Sequence, residues 1–526
     1  MTVLSFLAFT LLVAIISYVA TRKTDESSAD GYFLGGRSLT AVVIAGSLLL
    51  TNLSTEQIVG LNGQSFTEGI LVMAWETLAA IAMVVTAIFL LPRYLKGGIT
   101  TVPTFLERRY DKATKAITSG LFLSGYMVVL LPIVLYSGAL AISTMFDIPA
   151  ALGVSDSTAL WICVWGIGIV GSIYAIFGGL KAVAVSDTVN AIGLLIGGLM
   201  IPVFGLLAVG DGNISAGFNE LTTALPEKFV AAGDGDSSIP FATIFTGMML
   251  VQLFYWGTNQ AIIQRALAAK NLKEGQKGLM LAAFIKILGP LIVVLPGVIA
   301  FHLFGDQIVN PDEAYPTLVR EVLPATLVGF FAAVLFGAIL SSFNSALNSS
   351  VTLFGVDIYR EYINKEADEK QTVKVGKRFG VGLALASMII APFIANAPDG
   401  LFGYLQEVNG CYSIPILTII VVGYLTKRVP AIAAKVAILS GVILYTVSQF
   451  VLAPNYGDDY PHFLHVMAIL FVFNVLLMLL IGKLYPRDTD YVQEYTQQVD
   501  ITQWKYAKAV GLLVVIIVVS TYIYFQ

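Results

Sequence analysis

The chain has 526 residues, 57% of them hydrophobic and 12% charged, with a mean hydropathy of +0.82 and a formal net charge of −4. A soluble protein carries roughly twice that charged fraction, so the composition excludes a soluble globular fold and predicts a polytopic membrane protein. The small net charge gives no basis for a nucleic-acid partner.

Apolar runs long enough to cross a bilayer, about 20 residues each, recur from end to end. In chain order they predict fourteen spans, at 3–20, 40–62, 69–92, 117–141, 158–177, 183–208, 240–262, 279–303, 326–355, 379–396, 400–425, 430–452, 463–482 and 507–525. Span 1 lacks the basic leader region and small-residue cleavage site of a signal peptide, so it is read as a spanning helix. Ionisable groups at membrane depth are costly and point to function, and they fall in few places. Span 2 is interrupted by "TNLSTEQ", Thr51 to Gln57, and span 3 carries Glu76. Asp187 lies early in span 6, "VQLFYWGTNQ" interrupts span 7, and Lys286 sits inside span 8. Span 9 holds "GAILSSFNSALNSS", and span 11 holds Gln406 and Glu407. Cys163 and Cys411 read as small core residues, and His302, His462 and His465 have no metal-ligand spacing.

The loops are asymmetric. Of 30 Lys and Arg, 27 fall at or beyond the ends of spans 1, 3, 5, 7, 9, 11 and 13, Lys228 and Arg320 lie on the other side, and Lys286 is in the membrane. Basic loops stay in the cytoplasm, which puts both termini outside. No loop or tail is long enough for a further folded domain, so a single transmembrane domain over 1–526 is expected.

Spans 2 and 7 are broken in mid-run and lie five spans apart. Matching interruptions in two halves mark inverted-repeat transporters, where unwound backbone is tolerated because it lines an enclosed cavity. An odd offset inverts the second half. The expected fold is therefore all-α, a five-plus-five inverted repeat over 40–208 and 240–425, with an extra N-terminal helix at 3–20 and extra C-terminal helices over 430–525. On span 9, Ala338, Ser341 and Ser342 share one helical face. Their hydroxyls and carbonyl offer the neutral oxygens that suit sodium; the alternative is that small residues merely allow close helix packing.

Six blocks, "YFLGGRS", "TNLSTEQIVG", "YAIFGGLKAVAVSD", "YWGTNQAIIQRALAAK", "AAFIKILGPLIVVLPG" and "LSSFNSALNSSVTLFGVDIYREY", resemble the sodium/solute symporter family in order and across nearly the whole chain. The likeness is strongest to its sodium/sugar branch, the galactose and glucose cotransporters. The resemblance implies the leucine-transporter fold and alternating access driven by an inward sodium gradient. It implies a sodium site made of the Leu50, Leu53 and Ala338 carbonyls and the Ser341 and Ser342 hydroxyls. It also implies a monosaccharide site of Gln57, Glu76, Lys286 and Gln406, with Tyr255 under the sugar ring, Trp256 beside it and Gln252 nearby. The residue types fit a hexose, whose hydroxyls both donate and accept and whose ring face takes an aromatic. The alternatives are a structural Glu76–Lys286 pair, interhelical bonding by Gln57 and Gln406, and packing by Tyr255 and Trp256.

Asn52, Glu56, Asn259 and Gln260 read as residues that satisfy the breaks, and Glu407 and Arg265 as structural. Asp187 with Ser341, Asn344 and Ser345 forms a candidate second sodium site; the alternatives are that Asp187 helps sodium leave to the cytoplasm or pairs structurally with a basic residue. Three positions depart from the branch: Gln252 where sugar carriers have Asn, Trp75 where galactose carriers have Tyr, and Ala79 in place of a hydroxyl residue. A different monosaccharide or a cyclic polyol would also fit. An enzyme is not expected, because no Ser/His pair or His/Asp metal set lies at depth. Other readings are a carrier of organic acids, disfavoured because a carboxylate would meet Glu76, and a channel or receptor. The expected partners are sugar, sodium and lipid, with no nucleic acid and no obligate protein, in a plasma membrane such as a bacterial inner membrane.

Overall fold

The computed structural model describes residues 2–21, 29–235, 237–396 and 401–525. Arg22 and Lys23 after span 1, and residue 400 at the expected start of span 11, lie outside the described residues. Among the described residues no strand forms; the β pairing is limited to the isolated bridges Leu39–Ala269 and Gly233–Pro240.

Among the described residues eleven helices are long and apolar enough to cross a membrane, or twelve when Leu272–Lys286 and Gly289–Phe304, bent by 50°, are counted as one span. The remaining two of the expected fourteen are the broken ones. Span 2 consists of Ala41–Asn52 and Thr55–Glu68, and span 7 of Gly247–Gly257 and Gln260–Leu267. Both breaks fall inside the polar stretches. At Leu53 the backbone leaves helical geometry (φ −78°, ψ 59°), and Ser54 is extended. In span 7 extended Asn259 restarts the helix, its Oδ1 accepting from Ala261 N at 3.0 Å, as an N-cap asparagine does.

Several helices start earlier than hydropathy suggests. Span 8 begins at Leu272, where the Asn271 side chain accepts from Glu274 N at 2.9 Å, and span 10 begins at Glu369, where Asp368 accepts from Gln371 N at 2.7 Å. Hydropathy finds the part in the bilayer, whereas capping residues decide where the helix begins.

Residues Asp156–Val209 are helical throughout. At 1.5 Å per residue a straight helix of this length would far exceed a bilayer core of about 30 Å, and its contacts show that it doubles back. Gly171 packs on Phe343 of span 9, Asp187 reaches Ser341, and Gly197 packs on Phe331, so the chain approaches one end of span 9 and then recedes. The two apolar lengths, Asp156–Ala175 and Val183–Val209, are spans 5 and 6.

The loops sort to two faces. On the basic face, Lys435 pairs with Asp111 at 2.8 Å, Lys112 pairs with Glu361, and buried Arg109 donates to the carbonyls of Gly423, Thr426 and Val429. On the opposite face His302 lies 3.5 Å from Glu220, and Lys228 Nζ donates to the Phe66 and Thr67 carbonyls. Both ends of the chain join that second face: Thr2 Oγ1 donates to Ala325 O, and Ala231 N donates to Phe525 O. In span 9 72% of the most apolar window is buried, against 11% in span 1 and 22% in span 14. Span 9 is thus central, and the terminal helices present apolar side chains outward, toward lipid.

Candidate functional site

The two breaks meet around a cavity that encloses about 600 Å³ of free space, its open mouth included. Span 2 contributes Asn52, Glu56 and Gln57 to its wall, and span 3 contributes Trp75. Span 7 contributes Gln252, Tyr255, Trp256 and Asn259; span 11 contributes Phe402, Gln406, Asn409 and Tyr412. Five expected sugar residues, Gln57, Gln252, Tyr255, Trp256 and Gln406, therefore line one space. Tyr255 and Trp256 meet edge to face with centroids 5.2 Å apart, and Asn52 hydrogen-bonds the Tyr255 hydroxyl. Trp75 and Phe402 form a second edge-to-face pair at 5.3 Å.

Glu76 and Lys286 stand behind this wall. Both side chains are fully buried, and Lys286 Nζ meets Glu76 Oε2 at 2.5 Å. The other carboxylate oxygen accepts from Gln57 Nε2 at 2.6 Å, so Gln57 connects the pair to the cavity. Lys286 ends the first half of span 8 at its bend, and Gly289 just beyond is pressed against Glu76: a Cβ there would sit 2.2 Å from Oε2. Lys286 Nζ also lies 5.9 Å from the Trp256 ring centroid, within cation–π range. Gln252 is committed at both ends, donating to Trp75 O at 2.9 Å and accepting from Trp256 Nε1 at 3.1 Å. It positions the two tryptophans.

Two of the residues expected to bind sodium, Ser341 and Ser342, meet the end of the first half of span 2. The last carbonyls of a helix have no intrahelical partner, and at the end of Ala41–Asn52 one of them, Thr51 O, accepts from Ser342 Oγ at 2.6 Å. Ser341 Oγ lies 3.4 Å from Thr51 Oγ1. Leu50 and Leu53 flank Thr51, and all three are buried together with Ala338, Ser341 and Ser342. Among the described residues no cluster of three or more His, Cys, Asp or Glu could hold a metal ion; the oxygens gathered here are carbonyls and hydroxyls, a donor set suited to a hard monovalent cation.

Asp187 and Ser345 belong to a neighbouring network. Asp187 accepts from Ser47 Oγ at 2.6 Å and from Ser341. Ser345 Oγ donates to Ser341 O at 2.6 Å, lies 3.1 Å from Thr51 Oγ1, and accepts from Arg265. Arg265 is fully buried and also donates to Ser47 Oγ at 3.2 Å. Both polar atoms of Asn344 are buried with no hydrogen-bond partner. Arg265, read from sequence as structural, thus stands with Ser47 and Thr51 at the centre of this network. Sequence alone carried no signal for Ser47 beyond a hydroxyl in an apolar run, whereas Thr51 opens the polar stretch that breaks span 2.

Residues 32–441 match the model of the sodium:solute symporter family. The chain belongs to the sodium:solute symporter family. It is 49% identical over 520 residues to an uncharacterized symporter, YidK, of Escherichia coli, covering 99% of this chain and 90% of that protein. It is 32% identical to the sodium/glucose cotransporter of Vibrio parahaemolyticus, with 84% of each covered. The sodium/myo-inositol cotransporter 2 of Rattus norvegicus is 30% identical over 82% of this chain and 68% of its own. Among solved structures, a sodium-coupled sialic acid symporter superposes with a TM-score of 0.77 at 20% identity, over 93% of this chain and 99% of that one. The nucleobase-cation symporter Mhp1 superposes with a TM-score of 0.56 at 14% identity, over 86% of this chain and 95% of its own. These likenesses carry the fold, which is of the leucine-transporter type, with the two halves inverted about the breaks. This symporter is a sodium-coupled membrane transporter and not an enzyme.

Proposed function

We propose that this symporter imports a neutral polyhydroxylated solute, a monosaccharide or cyclic polyol, with sodium by alternating access. The observation that carries this reading is the cavity at the two helix breaks, where amides, a carboxylate and a tyrosine–tryptophan pair face one space. That set offers acceptors and donors for hydroxyls and a ring to cover an apolar sugar face. Relatives named as carriers of glucose and of myo-inositol support the same class. Gln57, Tyr255, Trp256 and Gln406 would touch the solute, with Glu76 and Lys286 polarising Gln57 from behind and Gln252 fixing the aromatic wall. Sodium would be held by the Leu50, Leu53 and Ala338 carbonyls and the Ser341 and Ser342 hydroxyls.

We assign residues 40–208 and 240–425 to the two repeats, with 3–20 and 430–525 as accessory helices. The basic face lies in the cytoplasm and both termini outside, in the inner membrane if the host is a bacterium. Asp187, with Ser341, Asn344 and Ser345, holds a second sodium or passes the ion inward. A sodium titration of uptake with a Hill slope of one, unchanged in Asp187→Asn, removes the second ion. The reading as a whole is tested in proteoliposomes: labelled glucose, galactose or myo-inositol should accumulate against its gradient only when sodium is outside. Accumulation of an organic acid and of none of these would replace it with the organic-acid reading, and sodium-independent equilibration would make the protein a channel.

A further inference from the structure

The cavity has one charged side chain in its described lining, Glu56, and no cation faces it. Its hydrogen bonds come from the Ser54 hydroxyl and its own backbone N–H. It lies in the first turn of Thr55–Glu68, where the amide end of the helix favours a negative charge. The cations at this depth are engaged elsewhere: Lys286 with Glu76, and Arg265 with Ser47, Ser345 and the Ala261 carbonyl. Two further lining residues hold buried atoms with no partner, Asn52 Oδ1 and Trp75 Nε1. The described lining therefore includes a carboxylate and an unpartnered amide oxygen as acceptors, an unpartnered indole N–H as donor, and no positive charge.

Such a wall requires protons from its ligand. Solute hydroxyls supply them, and the indole N–H can donate to one solute oxygen in return. A solute carboxylate would instead face Glu56 in a water-poor site, where like charges repel far more than in water. No cation in the described lining would offset that repulsion. We infer that Glu56 sets the solute class, accepting hydrogen bonds from hydroxyls of a neutral polyol and rejecting sugar acids of the same shape. The inference rests on the polyol-carrier reading above and adds to it a residue that the sequence reading gave to the helix break.

The test uses proteoliposomes of the full-length protein under an inward sodium gradient. The labelled solutes are D-glucose, D-galactose and myo-inositol, with D-glucuronate and D-galacturonate in parallel. The wild type should take up at least one neutral solute at least about tenfold faster than either uronate, and Glu56→Gln should raise the KM for that solute about tenfold and shrink the discrimination to about threefold or less. Wild-type uptake of a uronate as fast as its neutral parent overturns the Glu56 inference and leaves the symporter reading standing. Unchanged KM and discrimination in Glu56→Gln also overturn it. Uptake of none of the three neutral solutes overturns the polyol reading, and this inference with it. Because Glu56→Gln could fail to fold, the wild type in detergent gives a second measure through the emission of Trp75 and Trp256. The transported neutral solute should shift that emission and its uronate should not; an equal shift by the uronate overturns the inference.

Discussion

Ser342 shows how one hydroxyl can serve two purposes. A hydroxyl has one proton and two lone pairs, so Ser342 can donate to Thr51 O, as it does at 2.6 Å, and still turn a lone pair to a cation. Ser342→Ala should leave the fold intact and raise the half-saturating sodium concentration about tenfold, the effect of one lost polar contact of roughly 1–1.5 kcal/mol. Ser342→Thr should keep most of the affinity. A sodium titration of solute uptake reads both, and an unchanged alanine variant would reduce Ser342 to a packing residue. Glu76 and Lys286 pose a different question, because burial alone does not separate a structural pair from a functional one. Removing one partner strands the other charge at about 3–5 kcal/mol, so Glu76→Gln alone or Lys286→Met alone should lower the melting temperature in detergent sharply. The double variant should recover most of that stability while uptake stays lost, since Gln57 no longer has a carboxylate behind it. A double variant that transports normally would make the pair structural only.

At the scale of elements, the breaks in spans 2 and 7 do the positioning, and each is held by polar contacts of its own rather than by burial alone. Asn259 caps Gln260–Leu267 and accepts from Tyr126 Oη at 2.7 Å. Asn259→Ala should therefore cost about 1–2 kcal/mol, seen as a lower melting temperature and slower uptake, with Asn259→Asp largely restoring both. The breaks were legible in the sequence because clustered polar residues in an apolar run are costly in a bilayer unless they line a protected cavity, and both fall where the sequence put them. Helix starts at Leu272 and Glu369 were not, because charged, capped turns beyond the bilayer carry no hydropathy signal. Partner choice was not legible either. Gln252 and Gln57 carry the same amide, yet packing gives one to the tryptophans and lets the other connect a buried ion pair to the cavity. Arg265 read as structural because its partners Ser47 and Ser345 come from spans distant in sequence.

For the whole molecule, the two faces decide which side of the protein meets the cytoplasm. Loops after even-numbered spans share a face with both termini, and the loops rich in Lys and Arg share the other. If basic loops remain in the cytoplasm, labelling from outside should reach only the first face. Val309, between spans 8 and 9, is 97% exposed, and Lys365, after span 9, is also exposed. With buried Cys163 and half-buried Cys411 replaced by serine, Val309→Cys should react with a membrane-impermeant maleimide in intact cells. Lys365→Cys should react only after permeabilisation. The choice of sites makes the result unambiguous, because one span separates them and no fold of this kind can place both on one side. The opposite pattern would invert the protein in the membrane. A symporter carries its solute in the direction that sodium flows, so the sodium gradient would still drive import, with each step of alternating access taken from the opposite face of the protein.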